Sequence, residues 1–312
     1  MQQAILLKSW YFNIGDGFVK LGAEHILKSV FGADRVMVSA ELGATKFNMI
    51  GEGAANADFT SLVDLVATKP WTMVLAGCVL HENLHRIVSK LEHLPVKPRV
   101  VFLGAGGHHY NDKVVSSVRE SLKRLDPHLL VARDHDTLDC YGDLFNHAHK
   151  GLDCAYWVSD AVQGMADRSD YTIRTFNRTR DKGHSEGRVI RCEHSPFRLA
   201  IEPRHRAIAR NLWRIFRPHD PLVDHNSFIS DDIAEYLRLY SAAKEVHTDM
   251  VHATVACLSY GTPVKMYLRS GREGVLTSVY GERMFEGVFR PDMAELAALK
   301  AAEVAKIRNI LC

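Results

Sequence analysis

Two hydrophobic periods alternate along the first half of the chain. Short apolar runs such as "AILLKSW", "DRVMVSA", "WTMVLAG", "RVVFLGAGG" and "HLLVARD" read as strands, several apolar on both faces as buried parallel strands are. Between them, apolar residues recur at helical spacing in "GFVKLGAEHILKSVF", "NLHRIVSKLEHL" and "KVVSSVRESLKRL". "KGLDCAYW" is expected to add one more strand. This alternation predicts parallel βαβ units in an open, doubly wound sheet.

From about residue 168 the rhythm weakens, in a segment rich in arginine and turn residues, "DYTIRTFNRTRDKGHSEGRVIRCE". It then resumes: "DIAEYLRLYSAA" is helical, and "KEVHT", "VHATVACLSYG" and "TPVKMYL" make strand, helix, strand. After Pro291, "DMAELAALKAAEVAKIRNIL" forms a terminal helix, with the proline suited to its first turn. The expected fold is α/β: two Rossmann-like domains, residues 1–165 and 166–312, facing each other across a cleft, with a C-terminal helix. A ligand belongs in that cleft, at the C-terminal ends of the strands.

Composition narrows the function. Of 312 residues, 46% are hydrophobic and 24% charged, as in a folded globular protein. With 39 basic and 37 acidic side chains the net charge is +2, so no global field attracts nucleic acid. The six cysteines include no CxxC pair, which argues against a disulfide framework or a structural zinc site. No apolar stretch reaches the length of a membrane span, and a cytoplasmic location is expected. In "RHRAIARNLWRIFR", Ile208, Leu212, Ile215 and Phe216 oppose Arg206, Arg210, Arg214 and Arg217 on a helical wheel. That basic face either lies in water or rests on an anionic membrane surface, a peripheral contact at its inner side.

Four stretches carry candidate chemistry. "NIGDG" (Asn13, Gly15, Asp16) follows a strand and opens a helix, where glycines and exposed amides suit an anion or a sugar group. It also reads as an ordinary strand-to-helix turn. "LGAGGHHYND" ends a buried strand in glycines, with Gly106 and His108 at the rim expected for a ligand. In "VARDHDT", Arg133 follows a strand, placed either to clamp a phosphate or carboxylate or to pair idly with Asp134. In "KEVHTDMVHATVACLSYGTPV", Thr248 or Asp249 can cap a helix whose first turn holds His252. Amides there would hold an anion, and His252 could pass it a proton. Lys265, Arg269 and Arg272 follow and could reach over that anion. His81 and His85 form another spaced pair, read as a solvated helix face, and no third or fourth zinc ligand has suitable spacing.

Taken in order, these segments resemble the polysaccharide pyruvyl transferase family. The resemblance rests on N-x-G-D (Asn13, Gly15, Asp16), the glycine-rich "LAGCVLHEN", the strand end with Gly104 and Gly106, and the R-D pair Arg133–Asp134. It continues with "DCAY" at 153–156 and, most strongly, with "MVHATVACLSYGTPV" around His252. The family's proline after the glycines is absent, and its arginine two residues before the histidine is Met250 here. The resemblance implies a glycosyltransferase-B-like fold that transfers pyruvate from phosphoenolpyruvate onto a sugar diol as a ketal, without cofactor or metal. On that reading His252 is the catalytic acid and Arg133 clamps the donor with Arg269 or Arg272. Thr248 and Asp249 line the donor site, and His247 is a further candidate for the missing cation. Asn13, Gly15, Asp16, Gly106 and His108 would face a glycan or lipid-linked oligosaccharide. Two rivals stand beside it: a sugar-nucleotide glycosyltransferase on the same architecture, and a non-catalytic paralogue, to which Met250 points.

Overall fold

A computed structural model describes residues 3–7, 14–39, 70–92, 94, 96–107, 109–176, 187–194, 226–230, 232–267 and 272–312. The chain forms two compact units. The first comprises Met1–Trp10, Val19–Trp157 and Ala297–Cys312; the second comprises Tyr11–Phe18 and Val158–Leu296. The crossing expected at 165/166 therefore falls at 157/158, and two further crossings lie inside helices, which a linear reading of composition does not reveal.

The first unit is a six-stranded parallel sheet of order β2-β1-β3-β4-β5-β6. Its strands are β1 (Gln3–Leu7), β2 (Val36–Ser39), β3 (Trp71–Ala76), β4 (Arg99–Ala105), β5 (Leu129–Ala132) and β6 (His147–Lys150). Central strands β3, β4 and β5 are buried almost end to end, which is why they read as unbroken apolar runs. Edge strand β6, "HAHK", is largely polar and gave no such signal. Helices α1 (Ile14–Phe31), α2 (Leu84–Glu92), α3 (Asp112–Leu125) and α4 (His135–Tyr141) connect these strands.

"KGLDCAYW" does not form the expected strand: Cys154–Trp157 is a 3-10 turn. Asp153 captures the local backbone, its Oδ1 accepting from Ala155 N at 2.9 Å and its carbonyl from Tyr156 N at 3.1 Å. α1 closes over this turn at Gly22, where a β-carbon would lie 1.7 Å from the Cys154 carbonyl oxygen.

The second unit is a five-stranded parallel sheet of order β11-β10-β7-β8-β9. Its strands are β7 (Thr172–Thr175), β8 (Val189–Cys192), β9 (Ser227–Phe228), β10 (Glu245–Thr248) and β11 (Val264–Met266). Helix α5 (Ile233–Ala242) precedes β10, and α6 (Val251–Ser259) links β10 to β11. Gly261, at φ 67°, ends that connection two residues before Pro263. α7 (Gly274–Tyr280) and α8 (Met293–Leu311) follow. α8 is capped by Asp292 Oδ1, which accepts from Ala294 N at 2.9 Å, so Pro291 precedes the cap rather than entering the first turn. Within the first unit, α8 is pinned by a buried His149 Nε2–Glu303 Oε1 contact of 2.8 Å.

Candidate functional site

In the second unit the chain runs outward through β7, β8 and β9 and then returns to place β10 on the other side of β7. The strand order therefore reverses between β7 and β10, and open α/β sheets bind ligands at the C-terminal strand ends beside such a reversal. His247, Thr248, Asp249 and His252 all come from the C-terminal end of β10 or the start of α6. That co-location follows from topology.

His252 is buried in the first turn of α6. The N-cap is Met250, without a side-chain capping bond, so neither Thr248 nor Asp249 caps the helix as expected. Thr248 Oγ1 instead accepts from Met250 N at 2.9 Å and shapes the approach, while Asp249 is buried beside it. The N-terminal motif arrives at the same place. α1 starts at Ile14, so Gly15 and Asp16 lie in its first turn rather than in a loop. A β-carbon on Gly15 would stand 2.6 Å from His252 Nδ1 and 2.8 Å from its Cβ. Gly15 is glycine so that the imidazole can lie against the helix backbone. Gly15 was expected on the acceptor side of an N-terminal domain; contact places it with His252 in the second unit.

His194, at the end of β8, escaped the sequence reading. Its carbonyl accepts from Ile14 N at 3.1 Å, securing the start of α1. Its ring packs edge-on against Phe18 at 5.8 Å and Tyr236 at 5.4 Å, and its Nε2 bonds the Tyr240 hydroxyl. Burial, and then the neighbouring His252, push the His194 pKa down to about 3, so it stays neutral and accepts from Tyr240. No spacing rule reaches His194; its only signal was a histidine after a strand.

This buried histidine gives a pH prediction. In the unfolded chain His194 titrates near 6.5, so between pH 6.5 and 3 the unfolded state binds a proton that the folded state does not. Stability must fall as the pH drops through that window, by about 1.4 kcal/mol per unit from this group. Urea unfolding at pH 7 and pH 5 should show a loss of about 2 kcal/mol that His194→Gln lacks. Equal acid sensitivity in both proteins would contradict it.

His247 is held on both ring nitrogens: Nε2 lies 2.8 Å from Glu245 Oε1 and Nδ1 2.7 Å from the Tyr267 hydroxyl. It is in register with Arg174 on β7 and Lys265 on β11, so the three share one sheet face. Arg272 stands just before Glu273, the N-cap of α7. Asn13, His108, Arg269 and the basic stretch 204–217 lie outside the described residues.

In the first unit Arg133 is not displayed at a rim. Its side chain is 1% exposed, with Nη1 3.2 Å from Asp153 Oδ2 and Nε 3.7 Å from Asp134 Oδ2. Burial alone would lower its pKa, but Cys78, Asp153, Asp134 and Tyr110 together raise it, so it stays charged. Gly106 serves this arginine: a β-carbon there would meet Arg133 Nε at 2.4 Å. Asp134 caps α4 by accepting from Thr137 N at 2.8 Å and from the Tyr110 hydroxyl at 3.3 Å. The strand order of this unit reverses between β1 and β3, away from β5. The expected donor clamp is thus an internal anchor, because two carboxylates already occupy it. The expected solvated His81–His85 helix face is half present: His85 is exposed on α2, but His81 precedes the helix, its Nδ1 accepts from Asn83 N at 3.2 Å, and burial lowers its pKa. Among the described residues, no three His, Cys, Asp or Glu side chains form a group that could hold a metal ion.

The polysaccharide pyruvyl transferase family model matches residues 79–266, more than half of the chain. An uncharacterized protein from Klebsiella pneumoniae superposes with a TM-score of 0.51 at 13% identity, covering 93% of each chain. The UDP co-structure of S. aureus MnaA gives 0.53 at 10% identity, over 99% of this chain and 89% of that one. Such identities speak for the fold alone, and the expected α/β class of two Rossmann-like units with a C-terminal helix is the one found. No match was found among proteins of curated function.

Proposed function

The chain belongs to the polysaccharide pyruvyl transferase family, and from that membership we propose that it moves the pyruvyl group of phosphoenolpyruvate onto a sugar diol, leaving a cyclic ketal. The observation that carries this reading is His252, buried at the start of α6 against Gly15, beside the strand-order reversal. His252 protonates the methylene carbon of the enol, and a sugar hydroxyl attacks the adjacent carbon. Phosphate leaves as the second hydroxyl closes the ring. The first-turn amides of α6, with Thr248 and Asp249 beside them, face the donor. Arg272 and Arg269 supply the positive charge that Met250 does not. Asn13 and Asp16 keep their role toward the acceptor; Arg133 drops out because Asp153 and Asp134 hold it, and Gly106 because it makes room for Arg133. The scheme needs no further cofactor.

The acceptor is a glycan, as the family implies; a lipid-linked oligosaccharide at the cytoplasmic face of a membrane suits a phosphoenolpyruvate donor. No described helix is long and apolar enough to cross a membrane. Calorimetry tests the donor. Phosphoenolpyruvate should bind and uridine diphosphate should not, and incubation with glycans should yield a ketal seen by mass and by its methyl resonance. Binding of the nucleotide alone would move the protein to the glycosyltransferase reading.

A further inference from the structure

His247 was a candidate cation for the donor, yet its surroundings describe a different device. Glu245 Oε1, His247 Nε2 and Nδ1, and Tyr267 Oη form a continuous chain with contacts of 2.8 and 2.7 Å. A carboxylate only accepts, so Nε2 carries the proton given to Glu245. Nδ1 then presents its lone pair to the Tyr267 hydroxyl, which donates to it. Tyr267 is 41% exposed, whereas the His247 side chain is 12% exposed. The phenol is the end of the chain that a ligand can touch.

Its position fits the reaction site. Tyr267 N donates to the Thr248 carbonyl at 2.9 Å, and Thr248 Oγ1 accepts from Met250 N, so one threonine ties Tyr267 to the start of α6. Besides Glu245 itself, the sheet face of His247 carries the cations Lys265, Arg174 and Arg191. Lys265 Nζ lies 5.1 Å from the Tyr267 ring centre, and Arg174, opposite His247 on β7, stacks over Phe176 at 5.6 Å. Phe176 in turn packs on Tyr267 at 5.4 Å, and Arg191 on β8 extends the same row. Positive charge on this side favours a hydroxyl oxygen that turns negative as its proton leaves.

The geometry points to Tyr267 as the base that deprotonates the attacking sugar hydroxyl, with His247 and Glu245 as the positioning relay behind it. This rests on the pyruvyl-transfer reading above. As the acceptor oxygen bonds to the central carbon of the enol, its proton passes to Tyr267 Oη. The proton of Tyr267 passes to His247 Nδ1, and Glu245 holds the resulting imidazolium. His252 gives its proton to the methylene carbon. When the second hydroxyl closes the ketal, its proton restores His252, and the proton held at His247 returns through Tyr267 to the departing phosphate. Each group ends as it began.

Tyr267→Phe keeps the ring and removes the hydroxyl. We expect kcat to fall about 100-fold or more with the donor KM unchanged, and the acid limb of the pH–kcat profile to disappear. Glu245→Gln should move that limb. A kcat within threefold of wild type in Tyr267→Phe overturns the assignment. Imidazole nitrogen resonances of the intact chain test the relay without any substrate. His247 should carry its proton on Nε2, and Tyr267→Phe should shift Nδ1; a proton found on Nδ1 alone at neutral pH overturns the relay. If the wild-type protein transfers no pyruvate, the donor reading falls, and the resonances alone decide for or against the relay.

Discussion

His252→Ala is expected to lower pyruvyl transfer about 10²–10⁴-fold, the usual contribution of a positioned general acid, while the protein still folds. α6 is held by Ala253, Val255, Ala256 and Leu258, each fully buried. Initial rates of ketal formation measure the first half; a urea transition close to wild type measures the second. Near-normal turnover would remove His252 from the mechanism. Gly15→Ala provides an independent check. Helix propensity alone makes that change favourable by about 1 kcal/mol. A β-carbon 2.6 Å from Nδ1 and 2.8 Å from the His252 Cβ cannot be accommodated unless the ring moves. The rate should therefore fall steeply in a protein that remains folded. A fully active Gly15→Ala enzyme would mean that the ring's position does not matter.

Arg133→Ala should act on stability, where the sequence had pointed to the donor's Michaelis constant. The guanidinium is 1% exposed and Asp153 0%, with 3.2 Å between Nη1 and Oδ2. Removing one partner of a buried ion pair leaves the other charge uncompensated, at a cost of about 3–5 kcal/mol. Asp134 lies 3.7 Å from Nε on the other side, so two carboxylates lose their counter-ion together. The cavity under Gly106 adds to the loss. Arg133→Lys should recover little, because an ammonium cannot present two donors in a fork. The urea midpoint settles the matter. An unchanged midpoint with a raised donor Michaelis constant would restore Arg133 as a ligand clamp.

Much of this was legible in the chain. β3, β4 and β5 are apolar on both faces because helices cover both, and a buried parallel strand writes that into its own residues. α3 and α5 announce themselves through their helical period; the structure adds the Asn111 and Asp232 caps, which bond amides two or three residues away. β6 and the turn at Cys154–Trp157 were not legible. One is a polar edge; in the other, Asp153 bonding outweighed the strand-like composition.

The candidate site divides along the same line. His252 could be placed at a helix start from the sequence, since strand, turn and helix lie within ten residues. Its meeting with Gly15, more than two hundred residues earlier, could not. Nor could the bond between His247 and Tyr267, twenty residues apart across a strand crossover, or the burial of Arg133 between Asp134 and Asp153. The sequence by itself determined the strand–helix alternation and the helix start carrying His252, because hydrophobic period acts over a few residues. The tertiary structure alone decided which charged groups meet each other and which remain for a ligand. Those pairings depend on sheet order and register, which no local pattern encodes.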